Sequence, residues 1–156
     1  MQKIHIMTDS ACDIPPEQEQ ALGIEILQIP ITVDGRGYHE RRDFTNAEFY
    51  EMLGSCEGIP ATSHITHFEF AESYARAYEN GATDIIHVTI NSGGSAMYQA
   101  AQMAKSFFFE EHPDAEGHLN IHLVDSKTYT IAYGWPIMEA AKMARDGKSA
   151  PEIVDY

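Results

Sequence analysis

Basic residues are scarce. Ten Lys and Arg stand against twenty-four Asp and Glu, for a net charge of −14. A nucleic-acid binder carries a basic face, and an anionic membrane surface attracts cations, so the charge argues against both partners. Cysteine is nearly absent. Cys12 and Cys56 make no disulfide framework, which points to a reducing, cytoplasmic setting. No apolar run reaches the ~18 residues that a membrane span needs. The start, Met1 to Ile6, turns polar at Thr8-Asp9-Ser10, too soon for the apolar region of a signal peptide. There is no Walker motif and no Gly-x-Gly-x-x-Gly after a strand, so no nucleotide cofactor is expected. His64 and His67, and His118 and His122, sit outside any Cys/His cluster of zinc spacing, so no metal is expected either. What remains is ordinary for one globular domain: 156 residues, 44% hydrophobic and 22% charged.

Short apolar runs alternate with helical patterns. Lys3 to Met7 predicts a buried strand, and Pro15-Pro16 a short helix with Asp13 as its cap and Gly23 as its stop. Ile24 to Val33 predicts one strand, bulged or at an edge where Pro30 interrupts it. Asp34-Gly35 signals a hairpin, with a return strand near Tyr38. Thr45 with Glu48, and Thr66 with Glu69, are capping boxes that open two helices. Further strands are expected at Asp84–Ile90 and Ile121–Val124. Long helices are expected from the Asn91–Ser95 loop to Glu111, and from Thr130 to Asp146. Ser149 starts another helix that has no stop signal. Phe107-Phe108-Phe109 cannot all face a core from one helix, and ordinary packing is the expectation. This alternation predicts an α/β fold, a mostly parallel sheet flanked by helices in a Rossmann-like three-layer arrangement.

Ligands in such folds sit beyond the carboxyl ends of the strands. Three predicted strands end in small polar clusters: Thr8-Asp9-Ser10, Asn91-Ser92-Gly93-Gly94-Ser95 and Asp125-Ser126. Thr62-Ser63 forms a fourth, placed ahead of a helix, with His64 beside it. Hydroxyls and free N–H groups at helix N-termini bind anions, so a carboxylate or phosphate fits there; plain helix capping fits equally. Serine catalysis is the rival chemistry. Gly93-Gly94-Ser95 is like a nucleophile turn, but Met97 stands where Gly-x-Ser-x-Gly needs its second glycine. A hydrolase also needs a His and an acid poised on the serine.

The chain resembles the DegV family of bacterial fatty-acid-binding proteins. Ile4 to Ser10 followed by Asp13-Ile14-Pro15 is similar to that family's Thr-Asp-Ser-x-x-Asp-Leu-Pro opening. Gln28-Ile29-Pro30-Ile31, Asp43-Phe44, Phe49-Tyr50 and Val124-Asp125-Ser126 resemble further stretches. Pro60-Ala61-Thr62-Ser63 is similar to Pro-Thr-Thr-Ser, and Ser92 with Ser95 to Ala101 resembles Ser-Ser-x-Leu-Ser-Gly-Thr-Tyr-Gln-Ser-Ala. Asn91 replaces the first serine of that loop, Gly94 the leucine, Ala96-Met97 the Gly-Thr, and His64-Ile65-Thr66 a Gln-Pro-Ser.

The resemblance implies a non-covalently held long-chain fatty acid. Its carboxylate would be presented to the ATP-binding subunit of a fatty acid kinase, which makes acyl phosphate for phospholipid synthesis. The implied ligand-binding set is Thr62, Ser63, Ser92 and Ser95, with Asp9, Ser10, His64 and Asp125 as further candidates. No catalytic residue and no cofactor is implied. Residues 1–156 would be the N-terminal lipid-binding domain, without the C-terminal domain that closes over the acyl chain. The alternatives are a small serine hydrolase using Ser95, and an interaction module without a small ligand.

Overall fold

The computed structural model describes residues 2–156. Strand β1 (Ile4–Asp9) leads through a 3-10 turn to helix α1 (Pro16–Leu22) and strand β2 (Glu25–Leu27). Pro16 occupies the first turn, where its missing N–H loses no bond, and Gly23 at φ 68° closes the helix. Asp13 is not the cap. It ends the 3-10 turn at φ 52°, and the N-cap is Pro15, which makes no side-chain bond.

The stretch expected as one strand is two. β2 belongs to a parallel sheet, whereas β3 (Pro30–Val33) belongs to an antiparallel one. Pro30 stands at the first position of β3, where a missing donor is tolerated. Asp34 and Gly35, at φ 46° and 78°, turn the chain into β4 (Arg36–His39). Both angles are left-handed, as a two-residue hairpin of this hand requires. Helix α2 (Asn46–Ser55) follows its Thr45–Glu48 capping box, and β5 (Ala61–Thr62) joins the small sheet. That sheet has the order β4-β3-β5. Its inner face and α2 share a small core of Ile31, Val33 and Phe44, with Phe49 and Met52 against it.

The remaining elements are α3 (His67–Glu79), β6 (Asp84–Thr89), α4 (Met97–Glu111), β7 (Asn120–Asp125), α5 (Ile131–Arg145) and α6 (Ala150–Val154). The main sheet has the order β2-β1-β6-β7, and every pair is parallel. Successive strand residues face opposite ways. Met7 and Ile85 pack under α3 and α4 with Phe70, Tyr74 and Phe108. Ile6 and Ile86 pack on the other face with Tyr133, Ile137 and Ile153, from α5 and α6. This is the three-layer α/β arrangement that the alternating pattern predicts. Of the phenylalanine run, Phe108 is buried, while Phe107 and Phe109 are half-buried against the same core.

At the amino end of the sheet, Glu25 on β2 accepts hydrogen bonds from Ser73 Oγ at 2.6 Å and Arg76 at 2.9 Å, and pairs with His5 Nε2 at 2.7 Å. Burial alone would raise its carboxyl, but these partners together outweigh burial and hold it down at about 2. A carboxyl depressed on folding stabilises the fold above its unfolded value near 4.5 and loses that contribution as pH falls toward 2. Glu25→Gln is therefore expected to lower stability at pH 7 by on the order of 2 kcal/mol. Urea unfolding at pH 7 and at pH 2.5 checks this: the gap from the parent protein should shrink at the lower pH.

Candidate functional site

β1 and β6 are neighbours, yet their crossovers part. β1 connects through α1 to β2 on one side, and β6 through α4 to β7 on the other. A crevice opens at such a switch point, beyond the carboxyl ends of the two strands. Here Ala11 follows β1, and Ile90, Gly94 and Ser95 follow β6; all four line a cavity of about 850 Å³. Small-molecule sites occupy about 300–1,000 Å³. The small sheet and α2 supply apolar walls through Ile31, Phe49 and Leu53, and Ile29 adds to them from the link between β2 and β3. Thr62, Ser63 and His64 lie on the same wall system.

Three hydroxyls meet here with protons to give. Ser95 Oγ accepts the N–H of Met97, the first residue of α4, at 3.3 Å, while the N-cap position itself is Ala96. The Ser95 proton has no acceptor among the described residues, so this backbone contact and ligand binding do not compete at this serine. Thr62 and Ser63 are exposed, and neither hydroxyl has a protein partner among the described residues. Thr62 does not lie at a helix start, as its place in the sequence suggested. It pairs with Ile31 in β5, and Ser63 N–H donates to Pro30 at 3.1 Å. Thr66 is the cap of α3, in a complete box with Glu69. Strand pairing therefore fixes the Thr62 backbone and leaves its side chain free.

The other candidates brace the loops around the cavity. Asp9 is fully buried and accepts from Tyr133 Oη at 2.6 Å, Ile90 N–H at 2.9 Å and Ala11 N–H at 3.2 Å. Burial pushes its carboxyl above the usual range, against these three bonds. Ser10 Oγ accepts the Ile29 N–H at 2.9 Å and donates to Glu40 at 2.6 Å. Ser92 donates to Asp125 through both its hydroxyl and its N–H. Slight burial works against the Asp125 carboxylate, but those bonds and the Lys127 N–H hold it below its ordinary value. The four clusters do converge at one edge of the sheet. Thr62, Ser63, His64 and Ser95 face the cavity there; Asp9, Ser10, Ser92 and Asp125 are not among its lining residues.

His64 makes no hydrogen bond to Ser95 or to a carboxylate among the described residues, so no nucleophile–base–acid relay is assembled. Glu40 also lines the cavity. Burial, aided by the charges of Asp13 and Asp9, pushes its carboxyl up against the Ser10 bond. Glu40 and Tyr133 escape a reading of the sequence. Neither stands in a small-polar cluster, and Tyr133 reaches Asp9 across 124 positions of chain.

The family model described as "Uncharacterised protein, DegV family" matches residues 3–156. A DegV domain-containing protein of Clostridium perfringens is 32% identical over 159 residues, covering 100% of this chain and 52% of its own. Another, from Caldanaerobacter subterraneus, is 31% identical over 154 residues, covering 99% of this chain and 51% of its own. The chain thus spans about half the length of the curated relatives it matches. Among solved structures, a stearic acid-binding protein from Eubacterium ventriosum superimposes with a TM-score of 0.87 at 28% identity, over 98% of this chain and 51% of that one. A fatty acid binding DegV family protein from Streptococcus agalactiae gives 0.83 at 27% identity, over 99% of this chain and 52% of that one. With a family model matched from the third residue to the last and curated relatives above 30% identity along nearly the whole chain, the chain belongs to the DegV family.

Proposed function

We propose that this domain holds the carboxylate end of a long-chain fatty acid. The observation that carries the reading is the cavity itself: three donor hydroxyls with uncommitted protons, on Thr62, Ser63 and Ser95, beside walls of Ile29, Ile31, Phe49, Leu53 and Met97. Hydroxyl donors suit a carboxylate, and apolar walls suit its first methylenes. The stearic acid bound by the Eubacterium ventriosum relative supports the same ligand class. Residues 1–156 act in this reading as the N-terminal domain, and a second domain supplies the remaining wall. That division fits relatives about twice as long as this chain. The carboxylate is then offered to the ATP-binding subunit of a fatty acid kinase in the cytoplasm. The chain supplies no nucleophile, and acyl-phosphate formation belongs to the partner.

A charge-assisted hydrogen bond lost from a desolvated site costs about 1.5–3 kcal/mol. Thr62→Val and Ser95→Ala should each weaken stearate binding about tenfold or more in calorimetric titration. Thr62→Val removes no hydrogen bond and should leave the melting temperature near the parent's, whereas Ser95→Ala also frees the Met97 N–H and should lower it by about 2–4 °C. Undiminished affinity in both variants would refute the assignment.

A further inference from the structure

In the loop between β6 and α4, the tip of the Tyr129 side chain occupies the space that a side chain on Gly94 would fill. A Cβ on Gly94 would fall 2.4 Å from the Tyr129 hydroxyl and 3.3 Å from its Cζ. Gly94 is not among the left-handed glycines, so a larger residue there meets this phenol rather than a backbone constraint. Tyr129 Oη also accepts the Asn91 Nδ2 proton at 2.9 Å. Asn91 and Gly94, three positions apart in the loop, thus both meet the same phenol. Beside it, the Asn91 N–H donates to Thr128 at 3.1 Å.

Tyr129 is held by unusual backbone. Lys127 has φ 52°, and Thr130 has φ 58° with ψ −148°. A β-branched residue almost never enters that region, and strain of this kind persists only where the surroundings over-determine it. The ring is 47% exposed, so core burial does not account for its placement. We propose that Tyr129 is a positioning residue for the serine loop: its phenol occupies the space a side chain at position 94 would fill, takes the Asn91 amide, and thereby aims the adjacent Ser95 hydroxyl into the cavity. The ligand part of this inference rests on the carboxylate reading above.

The test combines Tyr129→Phe, Tyr129→Ala, Gly94→Ala and the double variant Gly94→Ala/Tyr129→Ala. Amide hydrogen exchange over residues 92–97 reports the loop, and stearate titration reports the site. Tyr129→Ala and Gly94→Ala should each speed loop exchange and weaken stearate about tenfold, while the double variant should be no weaker than either single one, since removing the ring makes room for the methyl group. Tyr129→Phe removes only the oxygen that takes the Asn91 amide and lies nearest the position-94 space, and should weaken stearate about as much as Tyr129→Ala. Losses that multiply to about a hundredfold in the double variant, or parent-like exchange in Tyr129→Ala, would overturn the proposal. If the parent binds no stearate, the carboxylate reading fails, and loop exchange across the same variants still decides the role of Tyr129.

Discussion

Gly134→Ala is expected to destabilise this protein more than alanine at any other of its glycines. The new Cβ would lie 2.1 Å from the Cys12 carbonyl oxygen, 3.2 Å from the Cys12 carbonyl carbon and 3.1 Å from Ile14 Cγ1. Cys12 and Ile14 are buried at 0% and 1%, so the obstacle is enclosed backbone and packed side chain rather than a flexible tip. Relief requires α5 to lift from the turn after β1. The neighbouring Tyr133 would then lose its 2.6 Å bond to Asp9, and the face formed by Ile6, Ile86 and Ile137 would open. Overpacking usually costs about 1–3 kcal/mol, and a backbone clash coupled to a lost buried bond exceeds that range. For a domain of this size, about 3 kcal/mol lowers the melting temperature by about 10 °C. Thermal unfolding followed by circular dichroism reads this directly. A melting temperature within about 2 °C of the parent would show that α5 is free to shift at no cost.

Asp9→Ala should produce the other large loss. It strands three donors at once: the Ile90 and Ala11 N–H groups and the Tyr133 hydroxyl. A buried donor without a partner costs about 1–3 kcal/mol, so a total on the order of 4 kcal/mol is expected. Tyr133→Phe removes a single bond and should cost about 1–2 kcal/mol. The two changes share a bond, so their combination should fall short of the sum. Urea denaturation of the three variants measures all of this. A loss in Asp9→Ala no larger than that in Tyr133→Phe would show that the carboxylate does not hold the ends of β1 and β6 together. The same series separates bracing from ligand contact. A bracing aspartate loses stability with or without fatty acid present, whereas one that met the ligand would lose affinity first.

Individual elements were legible wherever the signal is local. The boxes at Thr45–Glu48 and Thr66–Glu69 close as their spacing requires, because each needs only four consecutive residues. Asp34-Gly35 makes its hairpin for the same reason. Pro30 misled, since the interruption it marks is a change of sheet rather than a bulge or an edge: it opens β3, the middle strand of the small sheet. No local pattern says which sheet a short apolar run will join. The hydroxyl clusters were legible as a group, because strand ends in a parallel sheet share one edge. Their separate roles were not. Ser92 and Ser95 lie three positions apart in one loop, yet the first is spent on Asp125 and the second keeps its proton.

The sequence by itself determined the class of the fold, most of the order of its helices and strands, and the family. Periodicity, caps, net charge and motif order all act over short stretches or over the chain as a sum. Tertiary structure alone decided which side chains are available to a ligand. Asp9 meets Tyr133 across 124 positions, Asp9 meets Ile90 across 81, and Asn91 meets Tyr129 across 38. Contacts of that span follow from how helices cross a sheet, and a hydrogen bond made there removes a polar group from the site as surely as a missing residue would.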